Sequence, residues 1–333
     1  RNASTQLGIA KATDGTYPTP SLPSEIKKSV GTDFQYSSDG SAYCLTATSS
    51  RSTAITYNIS STGSISQGAC AGHGTSGQIA AIQPPADCPA GFIPVPGNIS
   101  LGTDGFCVMK YEAKNVGGIP ASQTAGTPWV SISQPAAMTA SQNACSGCQL
   151  ITEAQWMTIA ANVMSVADNW TGGSIGSGTV YAGHSDNSPA SPLAASSDDS
   201  DNYYGTGQTS GTQRRTLTLT NGEVIWDFSG NAWDRTQGVL TGTQPGRTGQ
   251  SGYSWTAYNH VDLQWNDLGE ISRPTGTVYA ANVTGGIYSN PAAPTGSRAA
   301  LRGGYYVIGG VLALGLDTTP ASGLPNVGFR VTR

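Results

Sequence analysis

Charge is scarce in this chain. Asp, Glu, Lys and Arg make up 11% of its 333 residues, with 16 basic against 20 acidic side chains. A net charge of −4 provides no basic field to hold phosphates, which argues against nucleic acid as a partner. No run of about 18 apolar residues occurs, so no segment reads as a membrane-spanning helix. The three histidines, His73, His184 and His260, are scattered through polar turns, with no HExxH or triad setting around them, and read as surface residues. Zinc would need a second ligand pair, and none is found. Cysteine is absent after residue 148.

What is abundant points to a folded, turn-rich chain. The 44 glycines, with many Ser and Thr, interrupt it often, while 37% hydrophobic residues, seven Trp and fourteen Tyr suffice for a packed core. The length predicts two domains. Six cysteines in a Ser/Thr-rich, charge-poor chain favour disulfides and an extracellular, oxidising setting. Sequence order suggests Cys44–Cys70, Cys88–Cys107 and Cys145–Cys148, among the many connectivities six cysteines allow. Each longer bridge is worth roughly 3 kcal/mol on the loop-entropy model. Cys145-Ser-Gly-Cys148 has redox-motif spacing, but no βαβ pattern surrounds it, so a structural bridge is the expectation.

Along the chain, residues 1–14 read as the tail of a helix with Ala3, Leu7 and Ala10 on one face. The chain begins at Arg1 without a signal peptide, which predicts a processed N-terminus with any anchor upstream. Strand-like runs follow at 34–36, 42–47 and 54–59. Residues 72–87, rich in Gly and Pro, read as a linker between a domain at 1–71 and another at 88–333. In the second domain, 106–109 reads as an apolar strand, and 138–144 and 152–166 have helical spacing. Ala154, Met157, Ala161 and Met164 mark the apolar face of the second helix, and Thr152 caps it. Residues 172–212 are polar and Gly/Ser-rich, a stretch too long for an ordinary loop. Asn221-Gly222 between 216–219 and 224–226 signals a hairpin.

The helix tail, the Asp14-Gly15-Thr16-Tyr17-Pro18 turn and the Tyr43-Cys44-Leu45 strand resemble a type IV pilin or pseudopilin. That resemblance implies a truncated hydrophobic helix followed by a small antiparallel sheet, and assembly through the missing part of the helix.

Six further motifs are Gly91-Phe-Ile-Pro-Val-Pro-Gly97, Lys110-Tyr111-Glu112, Leu150-Ile-Thr-Glu-Ala-Gln-Trp156, Trp226-Asp-Phe-Ser-Gly-Asn-Ala-Trp-Asp234, Leu301-Arg-Gly-Gly304 and Gly328-Phe329-Arg330. In this order they resemble the formylglycine-generating-enzyme branch of the C-type lectin fold, over residues 88–333. The implied class is α+β with much irregular structure. Physically, Trp156, Trp226 and Trp233 suit a core. Arg302 and Arg330 suit braces, with Glu112 and Glu153 as candidate partners. The family's chemistry uses two cysteines between its Arg-Gly-Gly and Gly-Phe-Arg motifs. Here that interval, 305–327, holds no cysteine, so no thiolate or copper-binding pair can form and no enzyme is expected. The family's calcium loop corresponds to 229–234, with Asn231 and Asp234 as candidate ligands for Ca2+. Asp198, Asp199 and Asp201 are a second acidic cluster.

Some non-catalytic relatives are variable proteins of diversity-generating retroelements, which display this interval as a diversified ligand-binding face. Adenine-only replacement in an AAY codon cannot produce Lys, Glu, Gln, Met or Trp, and 305–327 contains none of the five. On this reading Tyr305 and Tyr306 supply rigid contact area and Val307 and Ile308 an apolar patch. Gly315, Asp317, Thr318, Ser322, Leu324 and Pro325 surround them, while Val311, Leu312 and Leu314 belong to the scaffold. The expectation is a non-enzymatic, cell-surface display protein, membrane- or pilus-anchored, that binds a protein or cell-surface ligand. The alternatives are a divergent formylglycine-generating-type enzyme and a structural pilus subunit.

Overall fold

The computed structural model describes residues 16–17, 32–38, 41–49, 56–60, 65–67, 84–85, 87–98, 101–245, 250–258, 285–293 and 296–333. The helix expected over 1–14, Cys70, His73, His260 and most of the 72–87 linker lie outside them. The chain divides into two units, Arg1–Ile82 and Gln83–Arg333, and the division falls within 72–87. Helices and a larger share of strands make the class α+β.

In the first unit, four short strands pair as an antiparallel meander. They are β1 (Thr32–Ser38), β2 (Tyr43–Ser49), β3 (Thr56–Ser60) and β4 (Ile65–Gln67). Tyr36, Leu45 and Ile59 sit opposite one another in register, so they share one face. Tyr43 joins that face two residues before Leu45. Tyr17 packs edge-on against Tyr43 with ring centroids 4.8 Å apart, and these five side chains form the small core.

In the second unit, β5 (Phe92–Val95) and β6 (Phe106–Met109) form a hairpin stapled by Cys88–Cys107. A small hairpin, β7 (Lys114–Val116) with β8 (Ile119–Ala121), precedes helix α1 (Gln134–Ala144). That helix starts one turn before the expected position, because Ser133 caps it and Pro135 is tolerated in a first turn. Cys145–Cys148 closes the turn after it. Next come β9 (Gln149–Leu150) and α2 (Glu153–Met164), whose N-cap is Thr152 as expected, in a reciprocal capping box with Gln155.

The buried face of α2 keeps the expected Met157 and Met164 but not the two alanines. Trp156, Ile159, Ala160 and Val163 are fully buried with Met157, whereas Ala154 and Ala161 are only partly covered. Trp156 decides this. It stacks on Phe228 at 3.9 Å and donates its indole N–H to the Val311 carbonyl at 3.0 Å, and no alanine can compete with that contact.

The hairpin β10 (Thr216–Thr218) with β11 (Val224–Trp226) turns at Gly222 with φ +86°. The remaining strands are β12 (Trp233–Gly242), β13 (Ser254–Tyr258), β14 (Gly285–Ser289), β15 (Gly296–Tyr305), β16 (Ile308–Gly315), β17 (Val327–Phe329) and β18 (Val331–Thr332). Six of them form one mixed sheet in the order β13-β14-β16-β15-β12-β17. Strand β18 pairs with β6 and β9, joining the end of the unit to its beginning.

One face of the six-stranded sheet carries Ile287 and Leu314 into the main core, beside α2. Residues 172–212 form no helix or strand beyond isolated bridges.

Buried ion pairs tie these pieces together. Arg302 on β15 donates through Nε and Nη2 to Glu153 Oε2 at 2.9 and 2.6 Å. Glu153 Oε1 accepts from the Thr236 hydroxyl on β12, so one carboxylate at the start of α2 holds two strands. Arg330 pairs with Asp234 at 2.8 Å and also donates to the carbonyls of Lys110 and Trp226. Arg215 holds both oxygens of Asp227, at 2.8 and 2.7 Å. Replacing Glu153 with alanine leaves Arg302 buried without its carboxylate. The expected cost is about 3–5 kcal/mol in a denaturant melt of the second unit, far above the loss from an exposed Glu→Ala change.

Candidate functional site

The Arg302-Gly303-Gly304 motif shapes the tip of the β15–β16 hairpin. Gly303 and Gly304 have φ of +84° and +88°, and the β15–β16 register shifts between Arg302 and Gly304. A Cβ on Gly304 would stand 2.1 Å from the Ile308 carbonyl, and one on Gly303 3.1 Å from the Trp156 ring. Both positions therefore require glycine, for backbone conformation and for space. After this bulge Tyr305 pairs with Ile308, and Tyr306-Val307 forms the turn between them.

This turn brings the expected face together only in part. Val307 projects, 45% exposed, while Tyr305, Tyr306 and Ile308 are half-buried. Asp317 and Pro325 are exposed, and Leu324, like Tyr305 and Ile308, is half-buried against the cluster of Trp233, Leu301, Ala313 and Val327. Val311, Leu312 and Leu314 are buried scaffold. Gly315 and Thr318 are also buried, against expectation. Gly315 lies within β16 between β14 and β15, and the Thr318 carbonyl accepts the Ala299 N–H. Ser322, half-buried, uses its backbone carbonyl to receive Arg235. Thr318 and Ser322 thus anchor the 317–326 segment through their backbone carbonyls.

Sequence reasoning missed the aromatic side chains beside that face. Trp255, Tyr288, Gly315 and Leu301 are consecutive register partners across four neighbouring strands, so they share one side of the sheet. Trp233 and Tyr305 lie on that same side. Ring centroids run Tyr253–Tyr288 5.6 Å, Tyr288–Trp255 5.3 Å, Trp255–Trp233 6.2 Å, Trp233–Tyr305 6.1 Å and Tyr305–Tyr306 5.1 Å. Tyr306 then stacks on His184 at 6.1 Å. The rings come from five stretches of chain, around 184, 233, 253–255, 288 and 305–306, and the tertiary fold brings them together. The available signal was compositional: most of the aromatics in 253–306 alternate with small or polar residues.

No protein-family model and no curated protein matches this chain.

His184, expected at the surface, is fully buried. Its Nε2 donates to the Pro189 carbonyl at 2.8 Å, so the nitrogen a hydrolase would aim at a nucleophile is already used. The irregular stretch around it is held by side chains. Asn231 receives the Leu193 N–H on Oδ1, and Arg215 Nη1 donates to the carbonyls of Ala194 and Tyr204. Satisfying buried backbone groups in this way lets a long segment stay ordered without regular structure.

The residues assigned to calcium do not fit a cation. Asn231 donates Nδ2 to Glu112 and accepts on Oδ1, while Asp234 is buried against the Arg330 guanidinium. A second positive charge there would face Arg330. Asp199 accepts from Lys110 Nζ at 2.6 Å and from the Trp226 indole at 2.8 Å, and Asp198 is bonded to Ser200. Among the described residues no group of three or more His, Cys, Asp or Glu could hold a metal ion. Chelator is expected to leave the melting temperature unchanged, and a clear drop in EDTA would show that calcium binds.

Glu112 is not an arginine partner but the acceptor for Asn231 Nδ2 and the Ala232 N–H. Burial, reinforced by the charge of Asp227 and opposed by Lys114, pushes its carboxyl up to about 8. Burial likewise raises Asp234 to about 6, against the pull of Arg330. Burial lowers the Lys114 ammonium, with Glu112 and Asp227 opposing.

Between an ordinary carboxyl value of 4.5 and about 8, the folded chain keeps a proton on Glu112 that the unfolded chain releases. Stability in that window must therefore fall as pH rises. Thermal melts of the full chain from about pH 5 to about pH 8 are expected to show this decline, and Glu112→Gln to flatten it. A wild-type profile that rises across the window would contradict the assignment.

Proposed function

We propose that this chain is a non-enzymatic, extracellular recognition protein. Its second unit presents the hairpin tip at Tyr305-Tyr306-Val307-Ile308 and the adjoining 317–325 segment as a ligand-binding face. The observation that carries the reading is a sharp change in burial within one hairpin. Residues 299–304 and 310–316 are buried, while Val307 at the turn between them is exposed beside two half-buried tyrosines. A rigid base under a protruding aromatic–aliphatic tip is a suitable form for a binding surface, because little entropy is lost on contact.

Against a formylglycine-generating enzyme stands the lack of cysteine in 305–327, together with the disulfides that occupy Cys88, Cys107, Cys145 and Cys148. The six ordered motifs support a C-type lectin scaffold of the variable-protein kind. The Tyr17/Tyr43 sheet supports a pilin-like first unit, and with it surface anchoring or a place in a pilus. The disulfides suit an oxidising, extracellular compartment, and no helix among the described residues is long and apolar enough to cross a membrane.

A library randomising positions 305–308 in the full chain tests the proposal. Most members should keep a melting temperature close to that of the parent, and selection against immobilised proteins should recover specific binders. Widespread unfolding would show that these residues are core. Sequencing the codons of this chain from sibling cells adds a second readout, with variation expected at adenine positions of codons 305–325 and nowhere else.

A further inference from the structure

The aromatic row and Asp317 together suit a more specific ligand chemistry. Trp233, buried at 6% exposure, stacks within 10° of parallel to Trp255 and within 23° of Tyr305, so one buried indole joins two half-buried rings from two other strands. Tyr288 extends the row beyond Trp255.

Asp317 adjoins this surface. The point where a Gly315 Cβ would stand is 3.6 Å from Asp317 Oδ1 and 3.6 Å from the Trp233 ring carbon Cη2. Because position 315 is glycine, no side chain separates the acid from the indole. Tyr288 and Tyr305 also feel this carboxylate. Burial raises both of their hydroxyls, and the Asp317 charge raises them further.

Asp317 itself is raised by partial burial, with its own backbone N–H and Arg298 pulling the other way. Arg298, on β15, is the cation that reaches it, yet no ion pair forms between them. The carboxylate is exposed and lacks a direct counter-charge among the described residues.

Ring faces carry negative electrostatic potential, and a neighbouring carboxylate adds to it. Such a surface attracts an organic cation and repels an anion. A hard metal ion would find one carboxylate and no ring of oxygen ligands. A purely apolar ligand would cover Asp317 without satisfying it, at a desolvation cost.

We infer that Trp255, Tyr288, Tyr305 and Asp317, backed by the buried Trp233, form a receptor site for a lysine or arginine side chain presented by a protein ligand. This rests on the reading of 305–325 as a binding face and specifies what that face recognises.

The test titrates the full chain with Nα-acetyl-lysine methylamide, its arginine counterpart and its norleucine counterpart, the last having no charge. Tryptophan fluorescence and amide NMR shifts report binding. The lysine and arginine probes are expected to saturate and to bind at least about fivefold more tightly than norleucine. Asp317→Asn should bring them down to the norleucine level, and Tyr288→Leu should weaken all three. Asp317 is a surface residue, so its variant keeps the test valid if Tyr288→Leu misfolds.

Equal binding of all three probes, or no effect of Asp317→Asn, overturns the cation inference and leaves a binding face for apolar groups. If no probe binds while the 305–308 library still produces binders, the inference falls alone. If both fail, the binding-face reading falls with it.

Discussion

Glu153 meeting Arg302 is the contact on which the second unit most depends. The carboxylate stands at the first turn of α2, where the partial positive charge of the helix end favours it. From there it reaches the guanidinium of β15 and the hydroxyl of Thr236 on β12. One side chain thereby sets the distance between the helix and two strands of the large sheet. Arg302 immediately precedes the two glycines that bend β15, so the same contact fixes where the hairpin tip begins.

Two more buried arginines repeat this arrangement, Arg330 on Asp234 and Arg215 on Asp227, and a fourth, Arg235, is held by the carbonyls of Ile132 and Ser322. In a chain with so few charges, placing several in the core is costly unless each is paired and bonded. The benefit is geometric. A planar guanidinium with up to five donors can gather carbonyls from loops that have no ladder of their own. The irregular 172–212 stretch, with Arg215 and Asn231 bonded to its backbone, is ordered for this reason.

Some of this was legible in the sequence because the cause is local. Thr152 followed three residues later by Gln155 is a helix start, Asn221-Gly222 is a turn, and Cys88 and Cys107 flank a hairpin short enough to bridge. Arg302 with Glu153 was visible as a candidate brace, since charged residues beside glycines and tryptophans are rare in this chain. Other readings failed where side-chain size or distant partners decided. The inner face of α2 follows Trp156 rather than the alanine spacing. His184 is buried by a loop whose order comes from Arg215 and Asn231. Glu112, expected to pair with an arginine, bonds Asn231 instead, and Asp234, expected to ligate calcium, is engaged by Arg330.

The candidate face divides along the same line. Sequence alone determined that 305–327 lacks cysteine and carries Tyr305, Tyr306, Val307 and Ile308 after a Gly-Gly bend, because composition and backbone preference belong to the residues themselves. Only the tertiary structure decided that Gly315 and Thr318 are buried, and that Trp233, Trp255 and Tyr288 lie on the same side of the sheet as Tyr305. Strand order in a mixed sheet joins segments far apart in the chain, and nothing in the local spacing of residues encodes which strand will lie next to which.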